Sequence, residues 1–129
     1  MNELTPLMTA CIMGNYNSVK FLVEEARKRL QPDTFKLFVN VRTTKDLGGN
    51  NALLYACSSS SSNFLIVNYL IAQAGADKDC VNDYTLNCLM IATKRAQHNI
   101  IDLLLKNEVD ICFKDKKGQN VLHVASTSG

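Results

Sequence analysis

One short pattern recurs four times along the chain. Its first residue is a helix-capping type, its third is Leu, its sixth is Ala and its seventh is small, in TPLMTAC (5–11), NALLYAC (51–57), NCLMIAT (87–93) and NVLHVAS (120–126). A second pattern, rich in Ile, Val and Leu, follows the first three copies, in SVKFLV (18–23), IVNYLI (66–71) and IIDLLL (100–105). The last two copies begin at Asn87 and Asn120, 33 residues apart. A period of about 33 residues predicts a solenoid, because so short a unit buries its apolar face only against its neighbours.

Each position in the pattern has a physical role in a pair of helices. A Thr or Asn at the first position can accept a hydrogen bond from the free amides at a helix start, and Pro6 suits the first helical position. The Ile-, Val- and Leu-rich segments predict a second helix with an apolar face toward the first. We predict helix pairs near 5–13 and 17–30, 51–59 and 63–73, and 88–96 and 99–106, a lone helix near 121–127, and projecting hairpins or loops near 40–49, 80–86 and 112–119.

The motifs resemble the ankyrin repeat. TPLMTACIMGNYNSVKFLV (5–23) follows that family's T-P-L-H-x-A-A-x-x-G-H-x-x-I-V-x-L-L-L pattern almost position by position, and the resemblance covers essentially the whole chain. It implies an all-α fold, an ankyrin-type α-solenoid of stacked helix-turn-helix repeats with projecting β-hairpin loops. It also implies one ankyrin repeat domain over residues 1–129, with repeats at about 1–39, 40–78 and 79–111 and a partial repeat at 112–129.

The interval between the first two copies departs from the pattern. Ten residues are extra between Val23 and Asn40, and three more between Asn40 and Asp46. We expect EEARKRL (24–30) to lengthen the second helix, Pro32 to end it, and Phe35, Leu37, Phe38 and Val39 to fold back onto it. The segment is open to two interpretations, which are a tolerated surface insertion and a longer first hairpin through 42–45 that reaches a partner.

Several positions where the family has Gly carry another residue. Thr85 occupies such a position in a hairpin, and Glu108 occupies the one that ends a second helix. We expect Asn107 to adopt the left-handed conformation in place of Glu108. Asp46 and Asp115 each precede a Gly by three residues and are predicted to be turn residues at the hairpin ends.

Composition narrows the function classes. The chain of 129 residues has a net charge of +2, which is too weak to indicate nucleic acid or an anionic membrane as the partner. No run approaches 18 apolar residues, and MNELTPLM has none of the features of a secretory signal. The five cysteines are an odd number without a Cys-x-x-Cys motif. These features predict a cytoplasmic location, with the nucleus as the other possibility, and a chain that contacts no membrane.

The motif search indicates no catalytic, metal or cofactor site. ADKDCVND (76–83) brings three Asp residues together, but Asn82 and Cys88 stand where a calcium loop needs Gly and Glu. His123 occupies the family's own His position, and neither histidine has metal-ligand spacing with a cysteine. Cys11 and Cys57 take small-residue positions and are predicted to be buried, inert thiols. We therefore predict that the chain is not an enzyme and holds no cofactor.

A protein-binding surface is the function that remains. The resemblance implies that partners bind the concave face made by the hairpin tips and first helices. Basic residues and an aromatic side chain fall on that face toward the C-terminal half, so we predict an acidic protein partner bound by Lys45, Tyr84, Leu86, Lys94, Arg95, Lys114, Lys116 and Lys117. A solvated charged face is the alternative.

Two other functions remain open at this stage. The chain could be the regulatory or targeting domain of an enzyme, such as a kinase or a ubiquitin ligase component, encoded elsewhere in a longer protein. A nucleic-acid binder that uses the basic patch is the weaker option, and we predict no nucleic-acid partner. Gly129 falls on the position that closes the first helix of a repeat, so we expect this sequence to be a fragment of a longer intracellular protein.

Overall fold

Helices dominate the computed structural model of the chain, which describes residues 4–58 and 63–120. The described part contains the seven α-helices α1 (Pro6–Met13), α2 (Tyr16–Arg29), α3 (Pro32–Asn40), α4 (Ala52–Ser58), α5 (Phe64–Ala72), α6 (Cys88–Lys94) and α7 (His98–Lys106), with a 3₁₀ turn at Lys45–Leu47. All six helices of the three predicted pairs form, with ends within two residues of the predicted ones. The predicted helix at 121–127 lies outside the described residues.

The first helix of each pair begins at a capping side chain, as the pattern predicted. Thr5 Oγ1 accepts from the amide of Met8 at 3.2 Å, and Asn51 and Asn87 use Oδ1 in the same way at 2.9 Å. These bonds satisfy amides that a helix start leaves without a backbone partner. The starting points of α1, α4 and α6 therefore follow from local sequence.

The helices pack in two rows. One row contains α1, α4 and α6, the other contains α2, α5 and α7, and each helix also packs on its partner from the other row. The Leu and Ala of the first three copies of the pattern lie buried between the helices, including Leu7, Leu53 and Leu89. The rows are also joined by Asn63, whose amide donates to the carbonyls of Cys11 at 3.0 Å and Ala56 at 3.1 Å.

The first insertion forms a helix that the sequence did not predict. Helix α2 ends at Arg29, and Pro32 occupies the first turn of α3, where its missing N–H has no cost. Val39 is buried and Phe35 packs against the core, with the Arg27 guanidinium 4.9 Å from the Phe35 ring centre. The predicted packing of Phe35, Phe38 and Val39 is confirmed, whereas that of Leu37 is wrong, because this side chain is 71% exposed.

Three residues other than Gly adopt left-handed backbone, at Gly positions of the pattern in the third repeat. Their φ angles are +60° for Thr85, +55° for Ala96 and +64° for Glu108. The expectation that Asn107 would adopt this conformation is wrong, since its φ is −94°. The Asn107 side-chain amide donates to the Leu103 carbonyl at 2.9 Å, which holds the residue in the last turn and moves the reversal to Glu108.

A backbone hydrogen bond joins the two ends of each loop between repeats. The amide of Thr43 donates to the Asn50 carbonyl at 3.0 Å, and the pairs Asn82 with Leu86 and Asp115 with Gln119 repeat this arrangement. Residues 4–58 and 63–120 contain no β-strand, so these loops are turns there. Asp46 lies in a turn, as its spacing predicted, because it is the middle residue of the 3₁₀ turn Lys45–Leu47.

Candidate functional site

A groove opens between two successive loops and the last turn of α6. Its volume is about 510 Å³, and its lining residues are Tyr84, Leu86, Lys94, Asp115, Lys116, Lys117 and Gln119. We call it the basic groove. It brings together five of the eight residues that the sequence predicted to bind a partner.

The two loops that form this groove are built in the same way. Asn82 Oδ1 accepts from the amides of Tyr84 at 2.9 Å and Leu86 at 3.0 Å. Thirty-three residues later, Asp115 Oδ1 accepts from the amides two and four residues onward, both at 2.9 Å. In each loop one side-chain oxygen therefore fixes the backbone, and the residues that point outward are free to differ in chemistry.

The two walls of the basic groove differ in character. The loop after Asn82 contributes Tyr84, which is 64% exposed, and the half-buried Leu86. A β-carbon placed on Gly48 would lie 3.2 Å from the Tyr84 ring, so the ring lies against the preceding loop. The loop after Asp115 contributes Lys116 and Lys117, both exposed. One wall is therefore apolar and backed by structure, and the other is cationic.

The lysines of the groove have no ion-pair partner in the described part of the chain. Lys94 is exposed in the last turn of α6, and neither it nor Lys116 nor Lys117 takes part in any ion pair within residues 4–58 and 63–120. Asp115 contributes the one carboxylate of the lining, and its Oδ1 is occupied by two amides. The groove therefore has excess positive charge that suits an acidic ligand.

The other three predicted residues lie outside the groove. Lys45 is exposed in the 3₁₀ turn of the first long loop, Arg95 caps the end of α6, and Lys114 precedes the second groove loop. Asp115 was not predicted as a site residue, because its spacing to Gly118 indicated only a turn. Its two roles are compatible, since the turn that it holds is the wall of the groove.

The Arg42 side chain makes its polar contacts to other residues of the chain. Its Nε donates to the Gly49 carbonyl at 2.7 Å, and its Nη2 lies 3.3 Å from Asp83 Oδ1. The Asp83 amide donates to the Gly48 carbonyl at 3.0 Å. These bonds join the first long loop to the loop that carries Tyr84, and Thr43 beside Arg42 is buried. Within the stretch 42–45 that was considered for a partner, Arg42 and Thr43 thus stabilise the loops themselves.

The thiols of the first-row helices are unsuited to nucleophilic chemistry. Cys11 and Cys57 are buried, as predicted. Burial raises the pKa of the Cys11 thiol to about 12. A hydrogen bond with Cys88, together with burial, holds the pKa of Cys57 well above its ordinary range. Thiols with such pKa values remain protonated near neutral pH, whereas the thiolate is the reactive form.

A larger groove beside α3 has no comparable charge. Its volume is about 710 Å³, and its charged lining residues are two lysines and two aspartates. The ammonium group of one of them, Lys78, donates a hydrogen bond to the Asn107 carbonyl at 2.6 Å. Within residues 4–58 and 63–120, no cluster of His, Cys, Asp and Glu side chains could hold a metal ion. The basic groove is therefore the stronger candidate for a binding site.

Comparison with known protein families gives a match over the chain. A family model described as ankyrin repeats (3 copies) matches residues 1–82 and again residues 53–129, so the two matches together span the chain. A comparison with curated proteins finds no match. None of the helices in the described part of the chain has the length and apolar character of a membrane span.

Proposed function

Because this chain belongs to the ankyrin repeat family, whose members are generally protein–protein interaction modules, we propose that it binds an acidic protein partner in the basic groove. The family is typically non-catalytic, so the proposed mechanism is stoichiometric binding without turnover. The partner would lie along the face formed by the loop tips and first helices, which is the concave face in this family.

The observation that carries the proposal is the cluster of Lys94, Lys116 and Lys117 around the exposed Tyr84. Aromatic side chains are enriched among the residues that dominate binding energy, and Tyr84 is backed by the preceding loop at Gly48. Lysines without carboxylate partners attract an acidic surface and accelerate its association. Lys45, Arg95 and Lys114 lie outside the groove, and we assign them a weaker role in long-range attraction.

Peptides selected from a display library on the folded chain provide the test. Their association rates and Kd values would be compared between the wild type and the double variant Lys94→Glu with Lys116→Glu. The matched control is Lys20→Glu with Lys36→Glu, which changes the charge equally at exposed positions on α2 and α3. We expect the groove variant to weaken binding at least about tenfold, mainly through slower association, and the control to change Kd about twofold or less.

Two results would contradict the proposal. In the first, selected peptides would bind the groove variant and the wild type equally. In the second, single-stranded oligonucleotides would bind more tightly than any selected peptide, with a logarithmic salt slope of about −0.7 per phosphate contact. That second result would identify the lysines as phosphate contacts.

A further inference from the structure

We infer that the basic groove recognises an extended segment in which acidic and apolar side chains alternate, an inference that rests on the proposed function. Its basis is the division of the groove into an apolar wall, formed by Tyr84 and Leu86, and a cationic wall, formed by Lys116 and Lys117. Lys94, in the last turn of α6, also lines the groove, together with the residues of both walls. A ligand that satisfies both walls must present different chemistry on its two sides.

An extended chain meets this requirement directly. Successive side chains of an extended segment point to opposite sides, so alternate residues face the same wall. Acidic residues at alternate positions would lie toward Lys116 and Lys117, and the apolar residues between them toward Tyr84 and Leu86. A segment with this alternation can therefore use both walls along its whole length.

The spacing of the walls disfavours a helical ligand. The two loops belong to successive repeats, and helices of neighbouring repeats pack about 8–10 Å apart. A helix with its side chains has a diameter of about 10–12 Å, which is wider than this general repeat spacing. Backbone amides of each loop donate to Asn82 Oδ1 or Asp115 Oδ1, and these bonds fix the shape of each wall.

Charge identifies the polar half of the ligand as acidic. Three lysines and one carboxylate line the groove, and both Lys117 and Gln119 use their amides to bind that carboxylate. The apolar half is set by Tyr84, which provides an exposed aromatic face. The occupant that fits is thus a protein segment with a repeated acidic-apolar dipeptide, in contrast to a uniformly acidic tail or an amphipathic helix.

Three synthetic octapeptides test the inference by isothermal titration calorimetry. The first alternates Glu and Leu, the second repeats Glu-Glu-Leu-Leu with the same composition, and the third contains only Glu. We expect the alternating peptide to bind at least about tenfold more tightly than either of the others, since it alone satisfies both walls. Circular dichroism would verify that each protein variant described below remains folded.

Two matched variants locate the effect. Tyr84→Ala should remove the preference for the alternating peptide, whereas Phe21→Ala should keep it, because Phe21 is equally exposed at 64% but lies on α2. Lys116→Ala with Lys117→Ala should weaken the binding of every peptide that contains Glu. Retention of the full preference by the folded Tyr84→Ala variant would overturn the assignment of the apolar wall.

The outcomes separate this inference from the proposed function. If the paired or the all-Glu peptide binds as tightly as the alternating one, and binding still needs the groove lysines, alternation is refuted and the acidic partner stands. If no octapeptide binds while library peptides still depend on Lys94 and Lys116, the alternating motif is also refuted. Library peptides insensitive to those lysines would instead refute the proposed function itself.

Discussion

Replacement of Glu108 by Gly should stabilise the protein, although it removes a whole side chain. Glu108 follows α7 with a φ of +64°, in the left-handed region. Its side chain is exposed and belongs to no ion pair within residues 4–58 and 63–120. The substitution therefore changes the backbone energy and one charge, and few other terms.

The magnitude follows from two opposing contributions. Left-handed backbone costs a residue with a β-carbon about 1–2 kcal/mol, and Gly avoids this cost. Gly loses about 0.5–1 kcal/mol more conformational free energy on folding. Removal of a negative charge beside the C-terminal end of α7 adds about 0.3 kcal/mol. The expected net gain is about 1 kcal/mol, which corresponds to a rise in Tm of about 4 °C for a chain of this size.

Thermal and urea unfolding followed by circular dichroism at 222 nm would measure the gain, since the chain has no Trp to serve as a fluorescent probe. Glu108→Ala is the control for charge, because Ala keeps the backbone cost and should gain only about 0.3 kcal/mol. Asn107→Gly is the control for position and should destabilise by about 1 kcal/mol, because Asn107 has a φ of −94° and loses its bond to Leu103.

The difference in stability between Glu108→Gly and Glu108→Ala separates the effect of backbone conformation from the effect of charge. An equal gain for Glu108→Ala and Glu108→Gly would assign the effect to the charge and refute the argument from backbone conformation. A loss of stability in Glu108→Gly would show that the left-handed residue carries no strain. Ala96, which also has positive φ, provides an independent repetition at a position without charge.

Three further predictions concern buried and exposed groups. Asn63→Ala should lower the free energy of unfolding by about 2 kcal/mol, because the carbonyls of Cys11 and Ala56 each lose the bond from the Asn63 amide. Asn68→Ala on the exposed face of α5 should change it by less than about 0.5 kcal/mol. Stability should fall above pH 9, because burial raises the pKa of the Cys11 thiol from 9.0 to about 12 and the unfolded chain therefore releases this proton first. Urea titrations should show that this thiol lowers the free energy of unfolding by up to about 1.4 kcal/mol per pH unit, and Cys11→Ala should remove this contribution. Iodoacetamide should alkylate the exposed Cys112 first in the folded chain, and mass spectrometry that finds Cys57 modified equally fast would contradict its burial.

Six of the seven helices in the described part of the chain, and their order, follow from local sequence. Capping residues such as Thr5 and Asn87, Pro6 at the first helical position and the spacing of Leu and Ala act within a few residues of each other. Such local effects do not depend on the rest of the fold, and for this reason six helices form where the pattern predicted them. The family assignment follows from the same local pattern and is confirmed by the match over the chain.

Other features depend on packing between parts of the chain that are distant in sequence. Segment 32–40 forms α3 because it packs on α2, with Phe35 beneath Arg27 and the Asn40 side chain bonded to the Asp77 amide at 2.7 Å. Arg42 binds Asp83 across two loops, so its role could not be read from its neighbours in sequence.

The basic groove depends on the same long-range geometry. Lys94 and Lys116 are 22 positions apart in the sequence, yet line one groove because stacking brings successive loops side by side, while Arg95 and Lys114 are excluded from it. Periodicity predicts which residues belong to a loop or a helix. Which of their side chains share one cavity depends on how far apart the stacked repeats lie, and only packing sets that distance.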